Sequence, residues 1–221
     1  MHYIIGRILQ WSEVWSLLIP LTIIFVYRTR VPGMRLVVLY ICIAFVLNLA
    51  ATLISVYRLS LPSSLDNNNI LYNLHSFTRV LLFSWYILSL KLIRPSWLPK
   101  IILPVYILFV LINFIFFEHP LFLSSRLFSA ESIVLLVLCL LFFISSMRDE
   151  SEINWLRHPS FLVCTGISLY EAITFFIFLF FYPLIEKNRE FGMLTMRIFS
   201  VSYIILCLLL ALALYRSRKK Q

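Results

Sequence analysis

Apolar stretches long enough to cross hydrocarbon recur along this chain, and no other feature limits its fold so sharply. The run from Leu36 to Tyr57 carries no charged residue. A helix needs about 20 mainly apolar residues to span a bilayer. Seven segments meet that length, at about 10–27, 36–57, 70–90, 98–117, 121–147, 159–185 and 194–215. Composition agrees: 62% of the residues are hydrophobic and 13% charged, too apolar for one water-soluble core. Backbone N–H and C=O groups must find partners inside lipid, so helices or a closed barrel are the only spanning forms. Continuous rather than alternating runs exclude the barrel. The expected fold is all-α, a single seven-transmembrane-helix bundle over 1–221.

Polar joints separate the runs. They are Val31-Pro32-Gly33, the loop Ser63 to Asn69, Arg94 to Trp97, Met147 to His158, and Glu186 to Gly192. Asn67, Asn68 and Asn69 read as a loop and helix cap. Lys and Arg fall unevenly: twelve lie on the side holding the tail Arg216 to Lys220, five on the other, with Arg79 and Arg197 inside helices. The positive-inside rule puts the richer side in the cytoplasm, so the N-terminus is expected outside and the C-terminus inside. The net charge of +9 then suits anionic headgroups rather than nucleic acid. The first ten residues lack the pattern of a cleaved signal peptide. The expected location is a bacterial inner membrane, crossed several times, with membrane lipids as partners.

Ionisable groups at membrane depth are costly, roughly 2.5–3.5 kcal/mol at a helix centre on insertion scales, so each needs a partner or a purpose. Tyr72, His75, Arg79 and Tyr86 form one stripe on the third segment. Glu171 lies at the middle of the sixth, on a face with Cys164, Ser168 and Thr174. Glu131 shares a face with Ser124 on the fifth. Arg197, with Ser200 and more loosely Tyr203, marks the seventh, and Asn48 the second. The topology puts His75, Arg79, Glu131 and Arg197 in the outer half, with Glu171 and Asn48 near the midplane. Tyr72, His75, Arg79, Glu131, Glu171, Arg197, Asn48 and Tyr203 are therefore the candidate ligand-binding residues. Three readings share them: ion pairs that only fix helix packing, a pocket for a small or lipid-like ligand opening outward, and an acid–base or proton relay.

Other chemistries lack their residues. Cys42, Cys139, Cys164 and Cys207 sit in apolar runs without metal-ligand or disulfide spacing, and read as packed thiols. No G-x-S-x-G, H-E-x-x-H, phosphate loop or dinucleotide fingerprint occurs, and the seventh segment has no lysine for a retinal Schiff base. No catalytic residue, metal site or cofactor is assigned.

The stretches Trp11-Ser12-Glu13-Val14-Trp15-Ser16-Leu17-Leu18-Ile19-Pro20, Leu71-Tyr72-Asn73-Leu74-His75-Ser76, Ser160 to Gly166 and Ser202 to Cys207 resemble small uncharacterised seven-helix proteins of Bacteroidetes-type bacteria. The layout is also similar to the seven-helix sensor regions of bacterial histidine kinases. That resemblance implies a sensory or accessory signalling module with a partner protein at the cytoplasmic loops, since no kinase domain follows Gln221. Two rivals stand beside it. An intramembrane lipid-modifying enzyme would bring Glu171 and His75 together as acid and base. A small transporter or channel subunit would need a polar path to both faces.

Overall fold

In the computed structural model, residues 11–27, 32–57, 67–90, 97–148, 158–181 and 188–218 are described. They form seven helices and no strand: α1 Ser12–Tyr27, α2 Arg35–Tyr57, α3 Asn69–Ser89, α4 Leu98–Ile112, α5 Ser125–Arg148, α6 Pro159–Phe176 and α7 Arg189–Arg218. A short 3₁₀ turn, Pro32–Met34, leads into α2, and π-helical turns extend α4 over Asn113–Phe117 and α6 over Ile177–Phe181. Five helical stretches are long and apolar enough to cross a membrane, in α2, α4, α5, α6 and α7.

Local chemistry sets the helix ends. The Ser124 hydroxyl accepts from the Leu127 N–H at 3.1 Å, so α5 starts at Ser125 rather than near Leu121. Asn188 accepts from the N–H groups of Glu190 and Phe191 at 3.1 and 3.2 Å, starting α7 at Arg189, ahead of the expected 194. The π turn after α4 closes where the Glu118 N–H reaches the Asn113 carbonyl at 2.9 Å. Asn68 occupies the cap position of α3 without a side-chain capping bond. Asn67 accepts from the Asn69 N–H at 2.9 Å at the start of α3, and the three asparagines also act as clamps: Asn67 and Asn69 donate to the Leu121 carbonyl at 2.6 and 3.2 Å, and Asn68 to the Ala51 carbonyl at 3.1 Å. Much of the basic loop population, including Arg28, Arg30, Lys91, Arg94 and Arg157, lies outside the described residues.

Six helices close a ring in the order α1, α2, α3, α5, α6, α7, with α7 packed back on α1. α4 lies outside the ring, against α3 and α5. Val80, Phe83, Leu135, Leu138, Ile167 and Leu210 fill the axis, each almost completely buried. The outer surface is also apolar: Phe25 is 77% exposed and Phe116 74%. A surface of that kind marks a chain that meets lipid rather than water. Gly166 lets α6 approach α7, since a Cβ there would lie 3.2 Å from both Leu206 and Leu209.

Candidate functional site

The polar side chains cluster inside the ring, near the end where α1, α3, α5 and α7 begin. Arg79 of α3 is 2% exposed, and Glu131 of α5 and Glu171 of α6 are fully buried. Arg79 Nε bonds Glu131 Oε1 and lies 3.4 Å from Glu171 Oε1. The guanidinium carbon also sits 4.6 Å from the ring centroid of Tyr170, a cation–π contact strengthened by burial. Ser76, one turn before Arg79, donates to Glu131 Oε2. Ser132 Oγ lies 2.8 Å from Glu171 Oε2 and 3.0 Å from the Phe128 carbonyl oxygen. One cation thus faces two carboxylates, braced by two serines and a tyrosine.

Further side chains extend this group. His75 Nε2 lies 3.3 Å from the Tyr40 hydroxyl, with the two rings stacked at 5.9 Å. Asn48 donates to the Tyr203 hydroxyl at 3.0 Å and to the Glu13 carbonyl at 3.3 Å, tying α2 to α7 and α1. Tyr203 packs edge-on against Tyr170 at 5.6 Å, linking this bond to the charged group. The half-buried Glu13 stands beside the half-buried Tyr72 towards the bundle end. Tyr106 of α4 is buried near Ser76 and Glu131. Its ring also lines an apolar groove of about 440 Å³ between α4 and α5, with Ile102, Val105, Ala130, Ile133 and Val134.

The structure therefore brings Tyr72, His75, Arg79, Glu131, Glu171, Asn48 and Tyr203 to one region. Arg197 does not join them: it is exposed on α7. Tyr203 is six positions further along, which leaves the two about 120° apart around a helix turning 100° per residue. Cys42 is likewise exposed, whereas Cys139, Cys164 and Cys207 are buried. Ser132, Ser76, Tyr170, Tyr106 and Glu13 are members that a search for charges at depth passes over. Ser132 is one position after Glu131 and Tyr170 one before Glu171, so in each case a neighbour of the charged residue turns towards the same centre. A second polar knot joins Asn113, Glu118, Ser124 and Arg126 at the bundle end, where Glu118 accepts from Ser124 and lies 3.7 Å from Arg126.

The geometry separates the two residues an acid–base pair would need. His75 is held by Tyr40, while Glu171 is held by Ser132 and Arg79, and no hydrogen bond joins the two among the described residues. No group of three His, Cys, Asp or Glu side chains could hold a metal ion among the described residues. The fold and this cluster together define an α-helical bundle of membrane character with a buried charge triad. Compared with protein-family profiles, curated proteins and solved structures, the chain matches none.

Proposed function

We propose that this chain is a seven-span sensory or accessory signalling module of a bacterial inner membrane that binds a lipid-like ligand in the outer half of its bundle. The observation that carries the reading is the convergence of charged and polar side chains from all seven helices on one buried centre beside an apolar groove. Mere packing does not call for so much buried charge, which is often replaceable by apolar residues without loss of stability. Tyr106 bridges the two parts, with its ring in the groove and its hydroxyl beside Ser76 at the edge of the triad. A chain in the α4–α5 groove with a polar group reaching Tyr106 fits both chemistries.

Five helices already have spanning length and composition. α3 falls short in apolarity rather than length, because its 21 residues reach about 31 Å but carry the polar stripe. Its place in the ring between α2 and α5 supports counting it as a span, and α1 packs on α7 in the same layer. Seven crossings with the basic loops inside give an outer N-terminus and a cytoplasmic C-terminus. The largely apolar axis below the cluster, with Phe83, Leu135, Leu138 and Leu210, favours a sensor over a channel. Output passes to a partner protein at the cytoplasmic loops.

Native mass spectrometry of the full chain, released from nanodiscs prepared directly from membranes, tests this. The expected spectrum shows one bound lipid-like mass that survives delipidation, is lost in Ala130→Phe, which fills the groove, and is weakened in Tyr106→Phe. A wild-type protein free of any retained mass, or one whose retained mass is unchanged by both substitutions, would remove the ligand reading.

A further inference from the structure

Two serines hold the two carboxylates of the triad, and they hold them differently. Ser76 donates its single hydroxyl hydrogen to Glu131. With Arg79 Nε on its other oxygen, Glu131 has the two donors that suit an ionised carboxylate. Ser132 has two claims on its one hydrogen. Its oxygen lies 3.0 Å from the Phe128 carbonyl, which can only accept, and 2.8 Å from Glu171 Oε2. One hydrogen cannot make a full two-centre bond to both acceptors. Both contacts become full bonds when Ser132 donates to Phe128 and Glu171 donates to Ser132, an arrangement that puts a hydrogen on Glu171 Oε2.

Two further observations point the same way. Arg79 is the one cation among the charged side chains of this centre, and Glu131 already neutralises it, so a second carboxylate charge would stand uncompensated in a low-dielectric interior. Glu171 Oε1 is buried and accepts no hydrogen bond among the described residues, a smaller penalty for a neutral acid than for a carboxylate. Of the other groups facing this centre, Glu13 from α1, Tyr40 from α2, Tyr106 from α4, Tyr170 from α6 and Tyr203 from α7 cannot carry positive charge, and His75 from α3 is engaged by the Tyr40 hydroxyl.

We propose that Glu171 is a proton-binding site and that release or uptake of its proton is the step to which the bundle couples ligand binding. The proton passes from Oε2 to water as hydronium, the Ser132 hydroxyl turns its hydrogen from the Phe128 carbonyl to the new carboxylate, and Arg79 becomes shared between Glu131 and Glu171. The shift pulls α3 towards α6 and away from α5. The coupling rests on the cluster being the working site of the module; the proton itself does not.

Infrared spectroscopy of the full chain in phosphatidylethanolamine–phosphatidylglycerol nanodiscs, titrated with pH in H₂O and D₂O, reads the site directly. The expected result is a carboxylic-acid carbonyl band that shifts in D₂O and bleaches as pH rises. It is lost in Glu171→Gln and moves to higher frequency in Ser132→Ala, which removes the acceptor but keeps the acid. Glu171→Gln is expected to unfold near the wild-type temperature, because its amide N–H₂ can replace the lost donor to Ser132. If Glu171→Gln does not fold, the Ser132→Ala shift still decides the assignment. A spectrum with no such band, a band indifferent to Ser132→Ala, or a band unchanged across the pH range in which the protein stays folded overturns the proposal. A titrating Glu171 in a protein that retains no lipid-like mass would sink the ligand reading alone.

Discussion

Arg79 is nearly sealed from the surface, and its partners set what each substitution must do. Replacing Glu131 with Gln leaves the guanidinium without its nearest counter-charge, and one amide oxygen stands where two carboxylate oxygens served Arg79 and Ser76. Breaking a buried pair from one side costs roughly 3–5 kcal/mol, because the remaining charge stays buried. We expect Glu131→Gln to lower the unfolding free energy by about that much, measured by steric trapping in bicelles, and well beyond any effect of Glu171→Gln. An Asn48→Ala change removes two neutral bonds instead. Interhelical hydrogen bonds in membranes average about 0.6 kcal/mol and reach about 1.7, so this variant should fall in that range in the same assay. The ranking of the charged members was legible in the sequence, since a charge at depth is expensive wherever it points. Their faces were less so. Arg197 has the right depth and the wrong side of its helix, and Ser132 has the right side but no cost that would draw attention to it. The distinction between Glu131 and Glu171 depends on which serine has a second acceptor, and this exists only once α5 is coiled.

At the scale of elements, two contacts fix how the helices meet. Gly166 sits where α6 passes close against α7, and the atoms a side chain would strike include the Leu209 Cβ, which is tied to the α7 backbone and cannot swing away. Gly166→Val should therefore push the helices apart at a cost of about 1–3 kcal/mol, seen as a lower unfolding temperature with the helical circular-dichroism signal retained. At the opposite end of these helices from the cluster, Arg218 lies over the Tyr27 ring at 4.3 Å, and Tyr27 meets Tyr215 at 5.9 Å. The basic charge read from the sequence suits anionic headgroups, and the structure also stacks Arg218 on α1. The turn between α4 and α5 is clamped in turn by Asn73, which donates to the Pro120 and Phe122 carbonyls at 2.9 and 2.8 Å and accepts from the Ser124 N–H at 3.2 Å. Asn73→Ala should raise amide hydrogen exchange across residues 120–124 while leaving exchange in α6 and α7 unchanged. Hydropathy located the helix centres, but the ends depended on single capping groups such as Ser124 and Asn188, whose roles are set by backbone geometry.

At the scale of the whole molecule, the ring explains why the polar centre belongs to no single helix. α3 and α5 start at the same end of the bundle and pack side by side because α4, which connects them, lies outside the ring. Arg79 and Glu131 therefore meet at similar distances from their helix starts. The same arrangement fixes a relation that labelling can read: the α4–α5 turn and the 3₁₀ turn before α2 lie at opposite ends of the bundle. Phe122 in the first is 67% exposed, and a side chain at Gly33 in the second would meet open space. In a Cys42→Ala background, with the remaining cysteines buried, Phe122→Cys should react with a membrane-impermeant maleimide in intact spheroplasts. Gly33→Cys should react only after the membrane is opened. Reversal of the two would invert the bundle, placing the triad and its proton in the cytoplasmic half. Equal labelling of both before opening would remove the membrane-spanning arrangement altogether.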